Sequence, residues 1–350
     1  MALASCFLVP PDKEYLGYFD WKTLSCLFLT LAVICALRNI KFFTILARKL
    51  VTMTGNLRSL FILLIIITFI GSMIIANDMA LITFLPLGYF ALSVTKQEKY
   101  MAYLFVLQNI SANLGGMLTP FGNPQNLYLY SYFNIPTGEF TSIMLVPFLV
   151  AVALLIVACL PVKPIKFSLN DNFGEKLHKK KALIYGILFL FSILIVFRVI
   201  PFMVGLILIP VILFFIDRDA LKMVDYGLLG TFFFFFIFAG NLARLDAVNE
   251  LISSLLEKDT LIVSILSCQI ISNVPSAILL SRFRTDYPAL LLGVNIGGTG
   301  TLIASLASLI TFNEFRILHP EETKKYLVIF GTANVVFVVI LTVVAKVFLV

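Results

Sequence analysis

NLGGMLTPFGNPQNL, residues 113–127, sets three glycines, two prolines and four side-chain amides between apolar runs long enough to cross a bilayer. In hydrocarbon every backbone N–H and C=O needs a partner within the protein. Non-helical backbone therefore survives at membrane depth only where it is packed in protein or lines a watery cavity. Gly115 and Gly116 permit unwinding and close approach. Pro120 and Pro124 remove backbone donors and stop the helix from re-forming at once. The stretch reads as a deliberate break in a spanning helix.

The rest of the chain supports a membrane setting. Its 350 residues are 60% hydrophobic and 13% charged, with a mean hydropathy of +1.03. A soluble domain carries about a quarter charged residues. Apolar segments fall at 23–37, 59–75, 79–95, 100–133, 141–161, 182–199, 202–216, 226–242, 259–283, 287–311 and 326–350. The expected fold class is an all-α polytopic membrane protein with about ten transmembrane segments at ~20 residues each. The run Phe232–Phe236 reads as a lipid-facing or packing surface, and Arg198 and Lys346, near span ends, read as snorkelling side chains.

Five cysteines (Cys6, Cys26, Cys35, Cys159 and Cys268) lie in or beside apolar runs without a CxxC pair and read as small buried hydrophobes. His178 and His319 lie in charged loops, which removes zinc and His-base chemistry, so no metal is expected beyond Na⁺, and no cofactor. The net charge of +7 is explained by loop clusters, Arg38 to Arg58 and Lys163 to Lys181, which are a positive-inside signal and not a nucleic-acid surface. No HExxH motif is present and Asp78 has no second acid facing it in a span, so the chain does not read as an intramembrane protease or any other enzyme.

The break has an echo. NIGGTGTLIASLASL (295–309) matches NLGGMLTPFGNPQNL at Asn, Gly-Gly, the seventh-position Thr and the final Leu, without a gap. Upstream, IIANDMALITFLPL (74–87) matches IISNVPSAILLSRF (270–283) at Ile-Ile, a small residue and Asn. Two matches in the same order imply an internal duplication. The first repeat covers 1–161, with a hairpin tip near 76–78 and a helix break over 113–126. A basic linker spans 162–181. The second repeat covers 182–350, with a tip near 272–275 and a break over 295–301.

Loop charges orient the repeats. With the basic loops 38–58 and 162–181 cytoplasmic, 18 Lys/Arg fall inside, six outside and two within spans. The hairpin around Asn77 then enters from inside and that around Asn273 from outside. The repeats are expected to be inverted, each holding a re-entrant hairpin and an unwound helix.

Unwound spans leave half-helices whose ends face one another. Helix N-termini suit an anion such as a carboxylate, and freed carbonyls suit Na⁺. The side chains at the breaks and tips are short and neutral, offering donors and acceptors without a fixed charge. Expected substrate-binding positions are Asn77, Gly115, Gly116, Thr119, Asn123, Ser272, Asn273, Gly297, Gly298 and Thr299. Expected coupling-ion positions are Asp78, Asn77, Asn126, Asn273 and Thr301. Asp78 reads either as an intramembrane ion or proton site or as a water-exposed cap of the following helix; Val274 replaces it in the second repeat.

At GNPQN (122–126) and IGGTGTLI (296–303) the chain resembles the ion transporter superfamily, which groups citrate-type and divalent-anion:sodium symporters with arsenite permeases and sodium/proton antiporters. The resemblance implies a midplane substrate site between hairpin tips and unwound helices, and a homodimer in the cell (plasma) membrane. It implies secondary transport of a small citrate- or dicarboxylate-like anion coupled to Na⁺ or H⁺. The alternatives of the same architecture are arsenite or antimonite extrusion and Na⁺/H⁺ antiport. The dicarboxylate branch carries Ser-Asn-Thr at each tip; here the tips are Ala76-Asn77-Asp78 and Ser272-Asn273-Val274, which share only the Asn.

Overall fold

The computed structural model describes residues 2–167 and 177–349. Residues 168–176 of the expected basic linker lie outside the described residues. A short α1 (Ala2–Leu8) precedes α2 (Trp21–Asn39) and α3 (Phe42–Val51). The first hairpin is α4 (Leu57–Ile75) and α5 (Asn77–Val94), followed by the half-helices α6 (Met101–Gly115) and α7 (Pro124–Tyr132), then α8 (Thr137–Cys159). Next come α9 (Lys179–Val196), α10 (Phe202–Ile216), α11 (Arg218–Lys222) and α12 (Tyr226–Ala243). The second hairpin, α13 (Asp246–Ile271) and α14 (Asn273–Leu280), leads into the half-helices α15 (Tyr287–Gly297) and α16 (Leu306–Leu318), and α17 (Thr323–Leu349) ends the chain.

Among the described residues, six helical stretches are long and apolar enough to cross a membrane: Trp21–Asn39, Leu57–Ile75, Asn77–Val94, Thr137–Cys159, Arg218–Ala243 and Pro320–Phe348. Phe202–Ile216 and Tyr287–Gly297 are shorter apolar helices. This is an all-α polytopic membrane protein. Short polar side chains start the helices where the apolar runs begin. Asp20 accepts from Thr23 N at 3.0 Å, Asn56 from Ser59 N at 3.0 Å, and Asp225 from Leu228 N at 2.8 Å.

The two hairpins differ in reach. Helices of 19 and 18 residues give α4 and α5 about 28 Å each at ~1.5 Å per residue, close to the ~30 Å hydrocarbon core. In the second hairpin α14 has only 8 residues, and α13 kinks at Asp259 (φ −165°, ψ 91°). Asp259 Oδ1 accepts from Ile262 N at 3.0 Å and so restarts the helix there. Packing crosses between the halves: α4 lies against α6 and α13 against α15, while α16 packs on α5 and α7 on α14.

Several side chains take different places from those expected. Lys346 pairs with Asp259 at 2.7 Å instead of reaching freely to an interface. Arg198 turns inward, donating to the Ile135 carbonyl at 3.3 Å with its guanidinium 4.2 Å from the Tyr130 ring. The phenylalanine run divides by helical face: Phe232 and Phe236 are buried against Tyr128, whereas Phe233 and Phe234 are exposed. The N-terminal segment is strapped to α12 by Arg244, which pairs with Asp12 at 2.6 Å and Glu14 at 3.3 Å. Arg244 holds the Asp12 carboxyl below its ordinary range.

Candidate functional site

The hairpin tips share one backbone conformation. Ala76 has φ 69° and ψ 156°, and Ser272 has φ 75° and ψ 161°, a region that costs a residue with a side chain about 1–3 kcal/mol. Such strain persists only where the surroundings over-determine it. The following asparagine locks each tip by accepting from the next backbone N–H: Asp78 N to Asn77 Oδ1 at 3.0 Å, and Val274 N to Asn273 Oδ1 at 2.8 Å.

Both spanning helices are interrupted opposite these tips. α6 ends at Gly115 and α7 starts at Pro124; α15 ends at Gly297 and α16 starts at Leu306. The unwound stretches are thus 116–123 and 298–305, with Asn113, Asn126 and Asn295 in the flanking helical turns. Positions matched in the sequence make matched contacts. Thr119 Oγ1 donates to the Met73 carbonyl at 2.8 Å, and Thr301 Oγ1 to the Gln269 carbonyl at 3.4 Å. Asn123 and Ser305, matched by the same register, both sit in extended backbone and cap the next half-helix.

These two caps cross from one break to the other. Asn123 Nδ2 donates to Asn295 Oδ1 at 3.3 Å, and Ser305 Oγ to Asn113 Oδ1 at 2.7 Å. Around them a buried amide cluster forms. Asn77 Nδ2 donates to Asn113 Oδ1 at 3.2 Å, and Asn295 Nδ2 to Asn126 Oδ1 at 2.6 Å. Asn126 Nδ2 holds the freed carbonyls of Gly116 and Met117 at 3.1 and 3.2 Å. Asn273 closes the cluster on the other side, its Nδ2 lying where a Cβ on Gly298 would come within 2.9 Å.

The citrate transporter family model matches residues 1–285, which include the first break and both hairpin tips. The chain belongs to the citrate transporter family. It is similar to an uncharacterized transporter of Methanocaldococcus jannaschii, 34% identical over 337 residues, covering 96% of this chain and 92% of that one. It is also similar to an inner membrane protein of Escherichia coli, 28% identical over 314 residues, covering 87% and 82%. The family and these relatives make the protein a membrane transporter.

In this member of the citrate transporter family, the amide cluster gathers Asn77, Asn123 and Asn126 with Asn113 and Asn295, while Asn273 lies against Gly298, Gly116 against Asn123, and Gly115 and Gly297 pack on the hairpin arms. Thr299 is buried beside it but donates to the Ile296 carbonyl at 2.6 Å. Thr119 and Thr301 stand apart, half-buried and exposed, tying the breaks to the hairpin arms. Ser272 likewise reaches away, to the Ala304 carbonyl at 3.3 Å. Asp78 is 5% exposed with a buried Oδ1 that has no hydrogen-bond partner, so it is not a cap lying in water.

Sequence reasoning missed Ser305, Gln125 and Gln269. Ser305 was legible, because the register that pairs Asn113 with Asn295 pairs it with Asn123. Gln125 donates to Asn295 Oδ1 at 3.4 Å. Gln269, a lone amide in an apolar arm, receives Thr301 N at 2.8 Å and donates to the Gly297 carbonyl at 2.9 Å; nothing in its sequence context marks it. A separate cavity of about 390 Å³ between α3, α4 and α9 is lined by Leu46, Ile70, Phe84 and other apolar side chains, and offers an anion no donor.

Asn295 is the hub between the breaks. Asn295→Leu is expected to orphan Asn126 Oδ1 and the Asn123 and Gln125 donors, at about 1–3 kcal/mol per buried group left unpaired. Thermal unfolding in detergent should show a large loss of stability, against a small one for the exposed Thr301→Ala.

Proposed function

We propose that the protein is a secondary active transporter of a small anion, citrate- or dicarboxylate-like, coupled to Na⁺ or H⁺. The observation that supports this most strongly is the meeting of four helix N-termini at one neutral amide cluster. α5 begins at Asn77, α7 follows Asn123, α14 begins at Asn273 and α16 follows Ser305. Each terminus presents unsatisfied N–H groups and about half a positive charge. Together they can hold a carboxylate without a fixed cation, so the anion can also leave. The expected substrate ligands are Asn77, Asn123 and Asn273, with Gly115, Gly116, Gly297 and Gly298 giving close backbone approach.

The coupling ion belongs to the first tip in this reading. Asp78 beside an anion repels it unless a cation or proton neutralises the carboxylate, which makes co-binding obligatory. The matched contacts of the two breaks support inverted repeats, 1–161 and 182–350, that expose the cluster alternately to each side. In this reading a homodimer sits in the plasma membrane with the basic loops cytoplasmic. Uptake of labelled citrate and succinate into proteoliposomes should rise about 5- to 150-fold when an inward Na⁺ or H⁺ gradient is imposed, the range of a coupling free energy of 1–3 kcal/mol. Uptake indifferent to both gradients would refute coupling, and no uptake of any di- or tricarboxylate would refute the anion.

The same buried carboxylate favours one second reading, arsenite or antimonite extrusion or Na⁺/H⁺ antiport, in which Asp78 is the cation seat. Loss of all exchange in Asp78→Asn would favour it over anion symport.

A further inference from the structure

We infer that the protein captures its anion at a second, outer site, a basic vestibule walled by Lys22 and Arg282 with Arg198 nearby, one short helix away from the amide cluster. The inference rests on the anion-transport reading and adds a place where the substrate pauses before reaching the centre. The vestibule is a cavity of about 280 Å³ whose walls include Tyr18, Asp20, Lys22, Ser131, Tyr132 and Arg282, close to the lower size limit of small-molecule sites at roughly 300 Å³.

Two basic side chains from distant parts of the chain line this cavity, and a third, Arg198, lies near Lys22 outside its wall. Lys22 lies in the first turn of α2, Arg282 follows α14, and Arg198, in the turn after α9, lies near Lys22. Arg282 stands 5.5 Å from the Tyr132 ring, and Arg198 stands 4.2 Å from that of Tyr130. Among the described residues no carboxylate forms an ion pair with any of the three. Asp20, the one acid in the wall, is committed to α2: Oδ1 accepts from Thr23 N at 3.0 Å and Oδ2 from the Thr23 hydroxyl.

The cations also hold unspent donors. Nε of Arg282 and Nε of Arg198 are buried and have no acceptor. Arg282 Nη2 donates to the neutral Tyr18 carbonyl, so its charge has no counter-charge of its own, which a carboxylate in the cavity supplies. Arg guanidinium is the side chain best shaped to take one, through parallel N–H···O bonds. The loop charges place this face outside, where Lys and Arg are sparse, so a cluster of three there is not accounted for by topology.

The vestibule leads to the centre. α7 runs 9 residues, about 13 Å, from the Asn123 cap to Tyr132. α14 runs 8 residues, about 12 Å, from Asn273 to just before Arg282. Tyr128 and Ser281, bonded at 2.8 Å, hold these two helices side by side. The vestibule and the central site thus lie at opposite ends of one packed helix pair. Clefts of one sign of charge raise the local concentration of a counter-ion and its association rate, and lose that advantage as ionic strength rises.

The test compares wild type, Arg282→Lys, and the double variant Lys22→Gln/Arg282→Gln in proteoliposomes taking up labelled citrate. KM in the double variant is expected to rise about tenfold, with the loss carried by KM and not by the maximal rate. Choline chloride should raise the wild-type KM toward the variant value, and Arg282→Lys, which keeps the charge but not the paired donors, should fall between wild type and the double variant. A KM unchanged by the double variant, or an Arg282→Lys that matches it, overturns the vestibule and leaves Arg282 as a tie to the Tyr18 carbonyl. Should wild type carry no citrate, the anion-transport reading fails by itself. The vestibule is then judged by sulfate titrated against chloride at constant ionic strength. Protection of wild type but not the double variant from thermal unfolding supports it; equal protection overturns it.

Discussion

Asp78→Asn is expected to cut gradient-driven transport by about 5- to 150-fold, the range of a coupling energy of 1–3 kcal/mol, while the protein stays folded. The carboxyl group lies at the start of α5, 5% exposed, one residue beyond the Ala76 turn and the Asn77 lock. Its Oδ1 is buried without a partner. A buried carboxylate oxygen without a partner is costly, which makes an intramembrane acid a functional-site candidate by default. Asparagine preserves the shape and removes the charge, so thermal stability should hold or rise while coupling falls. Measured in proteoliposomes, a symporter should keep anion counterflow in the absence of a gradient, whereas an antiporter should lose exchange altogether. Full gradient-driven transport in the variant would remove Asp78 from the coupling mechanism.

Gly115→Ala is expected to be the most destabilising single-methyl change in the first repeat, by about 3 kcal/mol, the upper part of the usual overpacking range. A Cβ there would meet the Phe69 carbonyl oxygen at 2.2 Å and Ser72 Oγ at 2.4 Å, so the hairpin arm itself has to move. Because α4 carries the Ala76 tip, that movement also pulls Asn77 from Asn113. The matched Gly297→Ala should cost less, since its nearest neighbours are the Cβ and Sγ of Cys268 at 2.9 Å and the Ile265 Cα at 3.0 Å. Gly331 in α17 has no atom within 4 Å of such a methyl, and its replacement should stabilise by up to about 1 kcal/mol through helix propensity. Circular dichroism melts of the three variants in detergent check the order.

The duplicated motif carried more of the site than its conserved letters suggest. Its register, extended without gaps, pairs Asn113 with Asn295, Gly115 with Gly297, Thr119 with Thr301 and Asn123 with Ser305. The last pair shares no residue type, yet both residues stand at the N-cap of a half-helix and both side chains bridge to the other break. Gln269 was invisible because a single amide in an apolar run has no local signature, and Gln125, though inside the break motif, has no counterpart amide in the second repeat; only their neighbours show what they satisfy. The length of α4 was visible in the sequence, whereas the restart of α13 at Asp259 depended on a capping contact that hydropathy does not register.

Sequence alone determined that the chain is helical and lies in membrane, and roughly where its two spanning helices break. Those properties follow from local rules: apolar runs set burial in lipid, and glycine and proline set where an intrahelical ladder cannot continue. Tertiary structure alone decided which amides meet, because the deciding bonds join residues 172 and 192 positions apart. It also decided that Asp78 is buried and that Lys22 and Arg282, from distant parts of the chain, line one cavity. A broken helix states in sequence that its backbone needs partners; only packing chooses them.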